Sequence, residues 1–149
     1  MSPHPVMVGN EIWRTTEHLF QAARFFPHTQ KEIRDAIREC KSPMGAKMIA
    51  KSHASKMCVV PRSDNDVRQM SWILSIKLEQ HPTLLTELIG TGDAMLIEDV
   101  TARPSESGLF WGSGPGLRFA RKPARMVWFE RLGKHMDGVE RNLPSPSRN

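Results

Sequence analysis

Nothing in the 149-residue chain approaches the run of about 18 apolar residues that a membrane-crossing helix requires, so no transmembrane segment is expected. Met1 does not open a basic, apolar and then small-residue leader, which argues against a secretory signal peptide and leaves the cytoplasm as the expected location. Cysteine is scarce. Cys40 and Cys58 stand in separate predicted elements, without a C-x-x-C or a neighbouring pair of histidines, so neither a zinc site nor a disulfide framework is indicated and free, partly buried thiols are the reading. No internal repeat is visible, and no residue pattern implies a metal or redox cofactor.

What is present is ordinary globular material, with 39% hydrophobic and 25% charged residues. A chain of this length can bury one core, and a single domain over residues 1–141 is expected, followed by a mobile Pro/Ser-rich tail over 142–149. The net charge of +5 permits attraction to phosphates. Much of the excess lies in Arg118, Arg121, Lys122, Arg125, Arg131 and Lys134, which read equally well as a local basic face for a polyanion or as a solvated surface.

Along the chain, Val6 to Val8, the turn residues Gly9-Asn10 and Ile12-Trp13 predict a short edge hairpin. Thr15 or Thr16 caps a first helix carrying Glu17 in its opening turn, with Leu19, Phe20, Ala23 and Phe26 at helical spacing up to Pro27. Thr29 and Glu32 form a capping box for a second helix with Ile33, Ile37 and Cys40 on one face. Ser42-Pro43 starts a third, with Met44, Met48 and Ile49 on one apolar side. Met57 to Val60 is a short strand or a loop on the core, Asp64 opens a long helix through Val67, Met70, Ile73, Leu74 and Leu78, and His81-Pro82 breaks it into a fifth that stops at Gly90 and Gly92. A strand over Ala94 to Glu98, a polar loop over Thr101 to Gly108, a Leu109-to-Gly116 segment that joins an apolar triplet to three glycines, and a last amphipathic helix from Met126 to Val139 complete the expectation. The class is α+β, a predominantly helical single domain with a few short strands.

Chemistry concentrates at the first helix. Glu17 and Gln21 stand four apart on one face, and Glu17 occupies the turn where unpaired N–H groups and the macrodipole favour a carboxylate. From spacing alone this equally describes an acid that only stabilises a helix start. The stretch Trp13-x-Thr15-x-Glu17-His18-x-Phe20-Gln21-Ala22-x-x-Phe25 resembles the W-P-T-x-E-H-x-F-Q-A-x-K-F signature of the NADAR family, to which the YbiA-type N-glycosidases belong. The likeness continues through Ser42-Pro43-Met44-x-Ala46-x-Met48, Met70, Lys77 to His81, Leu96-Ile97-Glu98 and Trp111-Gly112-x-Gly114, in the family's order.

The resemblance implies hydrolysis of the C1′–N bond of a ribosylated base, either ADP-ribosyl-guanine in DNA or RNA or a phosphoribosylamino-pyrimidine intermediate of riboflavin synthesis. Cleavage through an oxocarbenium-like state needs a nearby carboxylate and a positioned water, and Glu17 is the matched acid. It further implies substrate contacts from Trp13, His18, Gln21, Ser42, Gly112 and Gly114, with Trp111 stacking on the base and Arg24 and Lys47 holding phosphates. No membrane partner is implied. The chain departs from the pattern in four places, one of them the Trp usual ahead of the long helix, which is missing around Arg62 to Asp66. Gly108 stands where the family commonly has Asp, Glu130 where the closing motif has Asn, and Met1-Ser2-Pro3 begins after the place of the family's F-S-N-F strand. These departures motivate an alternative expectation, a catalytically impaired module that binds ADP-ribose or a nucleotide.

Overall fold

The computed structural model describes residues 4–26, 30–92, 94 and 106–111. The chain divides into two compact units, residues 1–94 and 95–149. The first opens with a two-stranded antiparallel hairpin, β1 (Val6–Val8) and β2 (Glu11–Trp13), in which Val6 faces Trp13, Met7 faces Ile12 and Val8 faces Glu11. Gly9, the first of the two turn residues, has φ +59°, the left-handed geometry that lets a two-residue turn follow the twist of its strands. Alternation then sorts the faces, with Val6 and Trp13 buried and Met7 and Ile12 exposed.

A two-stranded hairpin is marginal in isolation, and here the outer edge of β1 is taken up by side chains from 73 and 76 residues further on. Gln80 accepts from the Met7 N–H at 2.8 Å and donates to the Met7 carbonyl at 2.7 Å, so its amide stands in for a third strand. The His81 ring lies 2.6 Å from the Pro5 carbonyl, and Pro5 itself has no N–H to offer a foreign strand.

Five helices follow in this unit: α1 (Thr16–Ala23), α2 (Lys31–Glu39), α3 (Pro43–Ser52), α4 (Asp64–Gln80) and α5 (Pro82–Gly90). Their starts follow the expected chemistry at four places. Thr15 caps α1, Ser42 caps α3 with Pro43 in its first turn, α4 opens at Asp64 behind a Ser63 cap that the sequence reading did not name, and Pro82 starts α5 directly after the His81 break. At α2 the cap position is Gln30, whose side chain makes no capping bond, and Thr29 of the expected box lies outside the described residues.

α1 packs on α2, α3, α4 and β2, and all six residues from His18 to Ala23 are buried. It is therefore the centre of the unit rather than an amphipathic surface helix. It also ends sooner than its apolar spacing suggests. The Arg24 carbonyl accepts from the N–H groups of Cys58 at 2.7 Å and Val59 at 3.3 Å, and Gln69 donates to the Ala23 carbonyl, so other segments take the last acceptors. The chain turns there, burying Phe25 and leaving Phe26 exposed, the reverse of the expected face. The expected face of α3 is likewise corrected. Ala46 and Ala50 face the core while Met44 and Met48 are 63% and 57% exposed, because small side chains let two helices approach where methionine would hold them apart. Residues 57–60 form no strand; a single 3-10 turn over Ala54–Lys56 leads into a bend whose amides serve the end of α1.

Of the second unit, α6 (Glu106–Trp111) is described. It corrects the expected loop, since Glu106 to Gly108 are helical and lead into Phe110 and Trp111, whose rings meet edge to face with centroids 4.8 Å apart. All but Ala94 of the strand expected over Ala94 to Glu98, the last amphipathic helix, the basic cluster from Arg118 and the tail lie outside the described residues. The class is the expected one, mostly helical with a small antiparallel sheet.

Candidate active site

The first turn of α1 is fixed by its own side chains. Thr15 is extended (φ −149°, ψ 161°) and its hydroxyl accepts from the His18 N–H. The same hydroxyl lies 2.9 Å from His18 Nδ1, while Nε2 lies 3.0 Å from the Cys40 carbonyl. A carbonyl only accepts, so Nε2 carries the hydrogen and Nδ1 takes the hydroxyl proton. His18 thus ties the start of α1 to the α2–α3 corner, two residues before the Ser42 cap. That corner is tight, because a Cβ on Gly45 would lie 2.5 Å from Cys40 Sγ and 3.1 Å from Ser42 Oγ.

Glu17, in the first turn of the helix, is half-buried. Its Oε1 accepts from Gln21 Nε2 at 2.8 Å, and Oε2 has no hydrogen-bond partner among the described residues. Gln21 is buried, and its Oε1 accepts from Arg24 Nη1 at 2.9 Å. Because a guanidinium can only donate, the amide must turn its oxygen to Arg24 and its NH2 to Glu17. Arg24 is held in turn by Asp66, Nε to Oδ1 and Nη2 to Oδ2, both 2.8 Å, in a forked pair. Its guanidinium also lies 4.4 Å from the centroid of the Phe20 ring. Asp66 is 0% exposed, and its Oδ2 accepts from the Arg62 N–H at 2.7 Å as well. An unbroken row therefore runs from a buried ion pair to a carboxylate that reaches the surface.

The structure brings Glu17, Gln21 and Arg24 into one network, but changes what three expected contact residues can do. Arg24 was expected to hold phosphates; its guanidinium is enclosed by Asp66, Gln21 and Phe20 and is not offered to an anion. His18 was expected to touch substrate; it is wholly buried with both ring nitrogens engaged inside the protein. Trp13 is buried on the inner face of the hairpin, with an indole N–H that has no partner among the described residues, so its ring packs the core under α1. Ser42 caps α3 through the Gly45 N–H at 3.0 Å, and Lys47 is half-buried on the same helix. Trp111 belongs to the second unit, and Gly112 and Gly114 lie outside the described residues. Asp66 is the participant that sequence reasoning missed. Its local signal, Ser63-x-x-Asp66, announces only a helix start. No group of three or more metal-binding side chains occurs among the described residues.

Comparison with known proteins places the chain in a family. The NADAR domain model matches residues 1–144. The N-glycosidase YbiA of Escherichia coli is 30% identical over 112 residues, covering 74% of this chain and 63% of its own length. An N-glycosidase of Nostoc punctiforme is 27% identical over 145 residues, 95% of this chain and 81% of its own. The chloroplastic riboflavin biosynthesis protein PYRR of Zea mays is 29% identical over 146 residues, which are 89% of this chain and 23% of that one. The NMR structure of E. coli YbiA superposes with a TM-score of 0.72 at 26% identity, covering 98% of this chain and 80% of that one. The chain belongs to the NADAR domain family, and it spans 63% of the length of the YbiA proteins it matches.

Proposed function

We propose that the chain is an N-glycosidase that hydrolyses the C1′–N bond of a ribosylated nucleobase, with Glu17 as its working carboxylate. The observation that carries this is the state of Glu17, whose one oxygen is fixed by Gln21 at 2.8 Å while the other has no hydrogen-bond partner among the described residues. An N-glycosidic bond breaks as positive charge builds on C1′, and a carboxylate held in place beforehand stabilises that charge without reorganising. The second oxygen can accept a proton from a water that attacks C1′ on the face opposite the leaving base. Ser42 and Lys47 complete the proposal, with Lys47 as the phosphate cation now that Arg24 is committed inward.

Two substrate classes fit this chemistry. The names of the E. coli and Nostoc relatives support glycosidic hydrolysis, and that of the maize relative supports riboflavin biosynthesis, for which the substrate proposed is a phosphoribosylamino-pyrimidine intermediate. ADP-ribosyl-guanine in DNA or RNA presents the same ribose C1′–N bond and adds phosphates suited to a chain of net charge +5. Purified protein is offered both substrates, and released ADP-ribose or ribose 5-phosphate is followed by mass spectrometry. Glu17→Gln should retain the fold and lose about 10²–10⁴-fold in turnover. Unchanged turnover in the folded variant overturns the assignment.

A second reading rests on Gly108, which has no side chain at the position where the family signature carries Asp and which lies within α6. Under it the chain binds ADP-ribose or a nucleotide without cleaving it. Saturable ADP-ribose binding with no base release from either substrate after long incubation selects that reading.

A further inference from the structure

The proposed carboxylate is oriented by a residue 49 positions away in sequence that never touches it. We propose that Asp66 is a positioning residue for Glu17, acting through Arg24 and Gln21. This rests on Glu17 being the working group, and it concerns how that group is held.

Three features carry the inference. First, the row is directional. Asp66 can only accept, Arg24 can only donate, and Gln21 can do either according to which way its amide faces. With Arg24 Nη1 at 2.9 Å from Gln21 Oε1, the amide has one orientation, and that orientation presents Nε2 to Glu17 at 2.8 Å. A flipped amide would set its oxygen against the carboxylate and drive it from its place. Second, Arg24 does not choose its own direction. A free arginine extends its head group towards water, whereas here both Asp66 oxygens bind Nε and Nη2 at 2.8 Å. That fork leaves Nη1 aimed back along α1 at Gln21. Third, Asp66 is fixed at its own end. It is fully buried, its Oδ2 accepts the Arg62 N–H at 2.7 Å, and its backbone N–H donates to the Ser63 hydroxyl at 3.3 Å. A bridge needed only to fasten α1 to α4 would be complete with the fork. The third donor, leading away to Gln21, is what links the bridge to the surface carboxylate.

The test separates positioning from general support. In 15N-labelled, ligand-free protein, the Gln21 side-chain NH2 should give two well-separated proton signals, the bonded one shifted downfield, and Glu17→Gln should move it. Asp66→Asn should collapse that separation, and so should the charge-free pair Arg24→Met/Asp66→Leu, which keeps the test open if the single variant folds poorly. In turnover assays, Gln21→Met and Asp66→Asn should each lower kcat by about tenfold or more, the loss expected for one hydrogen bond to a charged group. KM should stay within about threefold. The two should not add, because the second change finds the path already cut. A Gln21 signal that persists in both Asp66 variants overturns the proposal, as does a kcat loss from Asp66→Asn that is equally large in the Gln21→Met background. If wild-type protein releases no base from either substrate, the glycosidase reading fails. The NMR arm still decides whether Asp66 orients the carboxylate, since it needs no turnover.

Discussion

Replacing Arg24 with methionine isolates what the buried pair contributes. The change keeps an unbranched chain against Phe20 and α4 but removes two of the three donors on Asp66, the 2.8 Å bonds from Nε and Nη2, leaving the Arg62 N–H at 2.7 Å. Asp66 is 0% exposed, so water cannot replace them. Removing one partner of a buried pair costs about 3–5 kcal/mol, against roughly 5–15 kcal/mol for the stability of a typical domain. For a protein of about 150–250 residues each kcal/mol shifts the melting temperature by about 2–4 °C, which gives a fall of roughly 6–20 °C. Arg24→Met/Asp66→Leu removes the stranded charge and should recover most of the loss, since apolar replacement of a whole buried pair is often neutral. The Arg62 N–H it releases belongs to an exposed residue and can turn to water. Urea denaturation at pH 7, followed by circular dichroism, measures both variants. A double variant no more stable than Arg24→Met refutes the reasoning, because the cost would then lie in lost packing rather than in an unpaired buried carboxylate.

The remaining predictions address the supports around the site. Gly45→Ala should destabilise by about 1 kcal/mol, because its Cβ would sit 2.5 Å from Cys40 Sγ. In a Cys40→Ala background the sign should reverse towards the helix preference of alanine, and thermal melts of the three variants check it. Gln80→Ala removes both bonds to the Met7 backbone, and the expected cost of about 1–3 kcal/mol should appear with faster hydrogen exchange at the Met7 amide, read by NMR. Burial holds the Lys77 amine below its ordinary value of 10.5. Between that lowered value and 10.5 the unfolded chain binds more protons than the folded one, so stability rises with pH across the window. Lys77→Met should abolish this rise, and urea midpoints from pH 8 to 10.5 that climb equally in both proteins exclude Lys77 as its source.

How much of this was legible in the sequence follows from the range of each interaction. Caps and breakers act within four residues, so Thr15, Ser42-Pro43 and His81-Pro82 marked helix ends correctly. Apolar spacing misled where a distant segment decided the outcome. α1 stops at Ala23 because residues 58, 59 and 69 occupy its last carbonyls, and Phe25 goes inward in place of Phe26 as a result. In α3, hydrophobicity pointed to Met44 and Met48, but the helix packs on both α1 and α2 and buries the smaller Ala46 and Ala50 instead.

The candidate site shows the same division. Glu17 and Gln21 were readable as a pair because they are four apart on one helix. Arg24 carried a charge that suggested phosphate, and nothing within four residues of it said otherwise. Its partner lies 42 positions away, and only the fold brings the two carboxylate oxygens of Asp66 to its fork. The family signature has lysine where this chain has Arg24, and the substitution is chemically specific. A lysine ammonium can neutralise Asp66, but it has no planar fork with which to hold both oxygens and still aim a third N–H at Gln21. Arg24→Lys should therefore preserve more stability than Arg24→Met while losing the fixed Gln21 amide. In this chain the same arginine closes the core and sets the direction of the surface carboxylate.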